Sequence, residues 1–183
     1  MRRRHSRRLL PEKLPETWLF TDPRMGEALW AAIRRLPRGS GIVLRHYGEA
    51  DRGAVARRAA NLARRYGHVL VVAGDRRLAR AVGAAGVHMP DGGRPTSDVI
   101  TAASHDRAGL VQARRAGAAL VFLSPVFPTR SHPGAATLGP VRFGLTARGA
   151  GIAVAALGGM NGKRCARMRA LGARAWGAID AFM

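Results

Sequence analysis

The stretch Leu120-Val-Phe-Leu-Ser-Pro-Val-Phe-Pro-Thr-Arg-Ser-His-Pro-Gly134 decides how the chain is read. It opens as an uninterrupted apolar run, Leu120 to Leu123, short and with β-branched and aromatic members. That composition suits a strand covered on both faces, as in a parallel sheet. Pro125 and Pro128 then fix φ and bar a helix. Thr129, Arg130, Ser131 and His132 follow directly, so hydroxyls and cations stand just past the end of a buried strand. Such a loop offers what an anionic ligand needs, and it is the expected working end of the molecule.

Outward from this loop, apolar runs alternate with helical patterns. Residues 18–21, 42–45, 68–73, 86–89, 98–103, 118–124, 151–157 and 174–179 read as strands. Between them, helices are expected over 25–36, with Leu29, Ala32, Ile33 and Leu36 on one stripe, and over 51–65, with Val55, Ala59, Leu62 and Ala63 inward. Further helices are expected over 76–84 behind an Asp75 cap, up to 116 after Ser104-His105-Asp106, over 140–148, and up to 171 behind an Asn161 cap. Strand and helix alternating throughout implies parallel pairing, and repeated right-handed crossovers close a (β/α)8 TIM barrel. The absence of a glycine-rich dinucleotide or P-loop fingerprint weighs against an open nucleotide-binding sheet. At 183 residues the barrel is lean, since such domains run from about 200 residues upward. The economy falls on the fourth and eighth helices, expected to be short or missing. A missing last helix would leave apolar barrel wall exposed, which implies a covering partner, a homodimer or the N-terminal arm.

Two segments are expected: a basic arm over 1–16, closed by Pro11 and Pro15, and one barrel over 17–183. No apolar run approaches the roughly 20 residues that span a bilayer, and Leu9-Leu10 is too short for a signal-peptide core, so a cytoplasmic protein without membrane attachment is expected. The single Cys165 excludes an internal disulfide and a cysteine metal cluster. The formal charge of +20, nearly all arginine, has two readings: a polyanion-binding surface, or solvated helix faces. The arginines are spread over every helical segment and aromatic platforms for bases are few, which favours solvated faces over nucleic-acid binding.

In a barrel the chemistry sits at the carboxyl ends of the strands. The residues there are Thr21-Asp22, Arg45-His46-Tyr47, Asp75, His88 with Asp91, Ser104-His105, the Ser124–Gly134 loop, Gly158-Gly159 and Asp180. The Gly158-Gly159 pair allows the backbone to approach a phosphate with its N–H groups, at the position where many barrels hold one; a plain tight turn is the other reading.

Six motifs occur in order at barrel-repeat spacing: Trp18-Leu-Phe-Thr-Asp22, Gly74-Asp75-Arg76, Gly86-Val-His88, Ser104-His105, Ser124-Pro-Val-Phe-Pro-Thr129 and Ala156-Leu-Gly-Gly159. Through them residues 17–182 resemble the thiamine-phosphate synthase and thiazole tautomerase family of (β/α)8 barrels. The resemblance implies coupling of an aminopyrimidine diphosphate with a thiazole phosphate in thiamine biosynthesis, with release of pyrophosphate. It also implies small phosphorylated substrates and magnesium as cofactor. By the same resemblance Arg45, Ser131 and His132 are the catalytic candidates. Thr129, Ser131, Gly158, Gly159 and Ile179, at the end of strand eight, are the phosphate-binding ones, and Asp75 and Asp91 the metal ligands. The alternatives are a tautomerase-like proton transfer, with His132 or His105 as base, and a non-catalytic binder of thiamine-related phosphates.

The chain departs from the family pattern at several of these places. Val43 and Tyr47 stand where a glutamine and a lysine flank the Arg45 position, and His132 replaces a lysine. Asp91 lies two residues before the expected second magnesium aspartate, at Gly93. Asp180 stands near an expected serine, where its charge would face the phosphate unless a cation or a turn diverts it, and Pro125 occupies the tautomerase histidine position.

Overall fold

The computed structural model describes residues 14–89, 99–131 and 133–183. Eight strands form a closed, all-parallel barrel in sequence order: β1 (Thr17–Phe20), β2 (Gly41–Leu44), β3 (Val69–Ala73), β4 (Gly86–Met89), β5 (Val99–Ser104), β6 (Leu120–Leu123), β7 (Val154–Ala156) and β8 (Ala175–Ala178). β1 pairs with both β2 and β8, which closes the ring. Outside it lie α1 (Ala28–Arg35), α2 (Arg52–Tyr66), α3 (Arg76–Ala81), α4 (Arg107–Arg115), α5 (Gly139–Ala147) and α6 (Gly162–Ala170).

Aromatic side chains fill the barrel. Phe20 and Phe122 meet edge to face at 4.7 Å, Trp18 stands on Phe122 at 5.5 Å, and His88 closes the cluster against Phe20 at 5.5 Å. Trp18, Phe20 and Phe122 are almost fully buried, and each such side chain contributes about 1.5–3 kcal/mol on leaving water. Gly41, paired with Trp18 across the β1–β2 register, is what admits the indole: a Cβ there would lie 2.2 Å from the Trp18 ring.

Several sequence expectations are corrected at their edges. The first helix does not begin at Met25. Asp22 accepts the backbone N–H of Arg24 and closes a 3-10 turn over Pro23–Met25, so α1 starts only at Ala28. On α2 the fully buried positions are Ala56, Ala59, Ala60 and Ala63, while Val55 and Leu62 pack at the margin. β7 is confined to Val154–Ala156.

The eighth helix is a single 3-10 turn, Asp180–Phe182, as the lean length requires. It does not leave barrel wall bare. Phe182 stacks on Trp176 at 5.4 Å, and Trp176 is only 8% exposed. Phe182 thus covers Trp176 from within the chain.

The segment after β4, where the short fourth helix was expected, and residues 1–13 of the basic arm lie outside the described residues. Residues 14–16 are tied to the barrel: Pro15 O accepts from Trp18 Nε1 at 2.8 Å, and Glu16 O accepts the Trp176 N–H at 2.9 Å.

Candidate active site

The carboxyl ends of the strands open onto a cavity of about 670 Å³. Its floor is the inner aromatic layer, Phe20 and His88, with Ala178. Its rim collects Arg45, Thr129, Ser131, Gly158, Gly159 and Ile179, six residues that the sequence assigned to the site from four different strand ends. Asp75 is not among the lining residues. Asp91 and His132 lie outside the described residues.

The loop after β6 is held by main-chain hydrogen bonds on both sides. Val126 N donates to Leu157 O at 2.9 Å and Phe127 N to Gly158 O at 3.0 Å, while Leu138 N donates to Pro125 O at 2.9 Å from the start of α5. Buried Val126 pins its centre, and the Ser124–Pro125 peptide is cis. The glycine pair after β7 is the counter-surface. Both have positive φ, +90° and +60°; a Cβ on Gly158 would lie 2.7 Å from Pro125 Cα, and one on Gly159 2.4 Å from Pro128 O. The tight-turn reading therefore holds, and the same turn lines the cavity. Among the described residues no acceptor takes the Gly158 or Gly159 N–H. Above them Thr129 and Ser131 stand together, with Oγ atoms 3.5 Å apart and the Ser131 N–H donating to Thr129 Oγ1 at 3.4 Å.

Arg45 closes the opposite side. Its Nη2 lies 3.4 Å from Asp22 Oδ2, its Nε donates to Thr21 O at 3.4 Å, and the guanidinium sits 5.7 Å above Phe20. Burial pushes its pKa below the usual guanidinium value, yet it remains a cation, because even a lowered arginine stays protonated. Thr21 Oγ1 accepts the Arg45 N–H at 3.1 Å and meets His46 Nδ1 at 3.0 Å, which fixes the strand end that aims the guanidinium. Tyr47, in the place of the family lysine, lies under the Arg52 guanidinium at 5.4 Å.

Asp75 has the capping role. Oδ1 accepts the Leu78 N–H at 2.8 Å, and Oδ2 lies 3.5 Å from Arg52 Nη1. Both oxygens are thus engaged away from the cavity. Among the described residues no group of three or more His, Cys, Asp or Glu converges on a cation position. Of the two predicted metal ligands only Asp75 is described, and it does not line the cavity.

At β8 the expected conflict is resolved by a cation. Arg130 Nε lies 3.3 Å from Asp180 Oδ2 and turns that carboxylate's charge toward the loop. The other oxygen, Oδ1, is buried and without a hydrogen-bond partner among the described residues.

Three residues were given no role from sequence. His88 is on the floor; burial drives its pKa down to about 3, and Nδ1 pairs with Thr101 Oγ1 at 2.9 Å. It is a neutral ring at ordinary pH. The available signal was a lone histidine in a short strand that is otherwise apolar. Arg24 clamps Asp22 through Nε at 2.8 Å and Nη2 at 3.0 Å, which holds the Asp22 carboxyl below its ordinary range. Arg142 reaches the cavity rim from α5. His105, weighed as a base, does line the cavity, and its Nδ1 lies 2.7 Å from Ser124 O. A carbonyl only accepts, so Nδ1 carries the proton and Nε2 of the neutral ring is the basic nitrogen.

The fold and the cavity define a (β/α)8 barrel of the enzyme type, with its polar groups gathered at the carboxyl face. The chain belongs to the thiamine monophosphate synthase family, whose sequence pattern it matches over residues 19–182. That family is one of transferases. The chain is 29% identical over 184 residues to the thiamine-phosphate synthase of Chromobacterium violaceum, an alignment covering 91% of this chain and 87% of the relative. A thiamine phosphate pyrophosphorylase from Pyrococcus furiosus superposes with a TM-score of 0.75 at 20% identity, over 92% of this chain and 86% of that one. One from Bacteroides thetaiotaomicron does so at 0.60 and 15% identity, over 91% and 83%. At these identities the two structures speak for the fold.

Proposed function

We propose that the protein couples an aminopyrimidine diphosphate to a thiazole phosphate, with release of pyrophosphate. The observation that carries this reading is the pairing, across one cavity, of the hydroxyls of Thr129 and Ser131 and the Gly158-Gly159 turn with a partly desolvated cation at Arg45. In this scheme the glycine N–H groups and the two hydroxyls hold the thiazole phosphate. The bond between the pyrimidine methylene carbon and the diphosphate oxygen breaks, and its electron pair leaves with pyrophosphate. The thiazole nitrogen then forms the new C–N bond to that carbon. Arg45 stabilises the charge that develops on the leaving group, so catalysis is mainly positioning and electrostatics. The Phe20–His88 floor supplies an apolar surface against which the heterocycles stack. Among the described residues no helix is long and apolar enough to cross a membrane, and a cytoplasmic setting fits this chemistry. The test is direct: the purified chain, supplied with both phosphorylated partners, forms thiamine phosphate. No product under any metal condition overturns the reading.

One observation favours a second activity, proton transfer on a thiazole phosphate. His105 lines the cavity, and its Nδ1–H bond to Ser124 O leaves Nε2 as the nitrogen that can take up a proton. Under that reading His105→Asn abolishes tautomerisation. Under the coupling reading it leaves most of the turnover intact, so one variant assayed both ways separates them.

A further inference from the structure

Beside the main cavity opens a second cleft of about 490 Å³. Three arginines from separate segments converge on it: Arg24 from the 3-10 turn after β1, Arg45 from the end of β2, and Arg130 from the loop after β6. It shares Arg45, Tyr47 and Ser131 with the cavity, so a single ligand can occupy both. Asp22 is the one carboxylate among its described lining residues, which leaves two positive charges in excess.

The donors are only partly used. A guanidinium carries five N–H groups. Asp22 engages Nε and Nη2 of Arg24 and, at 3.4 Å, Nη2 of Arg45. Asp180 engages only Nε of Arg130, at 3.3 Å. Among the described residues no acceptor holds Nη1 of Arg24, Nη1 of Arg45 or either Nη of Arg130. Planar forks with open N–H pairs match the oxygens of a phosphate. The partly desolvated Arg45 is where an incoming anion gains most, since charges interact more strongly out of water. The metal alternative finds no such convergence among the described residues, because Asp75 lines neither the cavity nor this cleft.

We infer that this arginine cleft, and not a metal ion, holds the diphosphate end of the ligand. The inference rests on the cavity being the substrate site proposed above. The diphosphate straddles Arg45, with its outer phosphate between Arg24 and Arg130. The organic part enters the main cavity past Ser131.

The test is calorimetric titration of the whole chain with inorganic pyrophosphate, in EDTA and then in excess magnesium. Binding is expected in EDTA, with an affinity that magnesium does not improve. The Arg24→Ala/Arg130→Ala variant is expected to bind about tenfold more weakly or worse, the scale of losing charge-assisted hydrogen bonds. Binding that appears only with magnesium overturns the inference, and so does a double variant that binds as the parent does. Should the double variant melt early, Arg130→Ala alone decides, because that side chain is 75% exposed and the fold does not lean on it. Parallel titration with thiamine phosphate separates the two levels. Thiamine phosphate binding without pyrophosphate binding sinks the arginine cleft alone. Failure of both ligands sinks the proposed function with it.

Discussion

The two sides of the cavity are built from different materials. On the β6–β7 side the Ser124-Pro-Val-Phe-Pro-Thr129 and Ala156-Leu-Gly-Gly159 motifs are kept, with His132 the one departure, and the groups lining the cavity are a glycine turn and short hydroxyls. They are where they are because the Ser124–Gly134 loop docks on the Gly158-Gly159 turn through main-chain hydrogen bonds. On the β2–β3 side the motifs have drifted: Val43 and Tyr47 replace a glutamine and a lysine, and Asp75 serves as a helix cap. There the cavity is lined by the long cationic side chain of Arg45. A site made of backbone cannot change without changing the fold. A site made of charge can be rebuilt from other positions, and Arg24 and Arg130 are such positions.

If this contrast is right, substitutions on the first side damage fold and ligand binding together, while those on the second damage binding alone. Gly159→Ala is the sharpest case. Its Cβ would meet Pro128 O and Phe127 at contact distances no packed atom tolerates, at a φ of +60°. A loss of about 1–3 kcal/mol in urea unfolding is expected, together with loss of thiamine phosphate binding. A Gly159→Ala protein of parental stability would break the contrast outright. Arg45→Ala is its counterpart. Asp22 keeps its bidentate partner Arg24, so stability should fall by under about 1 kcal/mol, while pyrophosphate affinity falls about tenfold.

The floor between the two sides gives a pH signature. His88 titrates at about 3 in the folded chain, with burial as the main cause and the Arg45 charge adding to it, against 6.5 when free. Between those values the unfolded state binds the extra proton, so the contribution is fully present above pH 6.5 and is lost as pH falls toward 3. Stability should drop by about 1.4 kcal/mol per pH unit below 6.5, or about 2 kcal/mol by pH 5. His46 and His68 are lowered by burial too and act in the same direction. His88→Asn should flatten the slope of unfolding free energy against pH, and an unchanged slope would mean that the floor does not stay neutral.

The barrel was legible in the sequence because most strands are short apolar runs closed by Gly, Pro or Asp, and the period survives even where helices are lost. The β6–β7 half of the site was legible for a related reason. Its groups are contiguous, Thr129 with Ser131 and Gly158 with Gly159, so local order already places them. The other half was not. Arg24, Arg45 and Arg130 meet only because β1, β2 and the loop after β6 share one rim, a juxtaposition spread over more than a hundred residues of chain. His88 was placed at a strand end but given no role because, in a four-residue strand, only the barrel register says which side chains point inward. The break before α1 was missed because the Asp22–Arg24 clamp that closes the 3-10 turn is a side-chain device.

Asp180 lies on the seam between the two sides, and it predicts the smallest effect. Its Oδ2 is held by Arg130, so part of that cation is engaged within the protein; its Oδ1 is buried without a partner among the described residues. Asp180→Ser removes a negative charge near the phosphate cradle and frees Arg130 Nε at the same time. Because Arg130 is largely exposed and its pairing screened, the gain is modest: a rise of about two- to fivefold in pyrophosphate affinity, stronger at low ionic strength. The two halves then respond unequally. If the arginines hold the diphosphate, pyrophosphate binding should gain more than thiamine phosphate binding, whose cradle is backbone. An equal gain for both ligands would show that Asp180 acts through general charge at the mouth, and that the division into a backbone half and an arginine half is drawn in the wrong place.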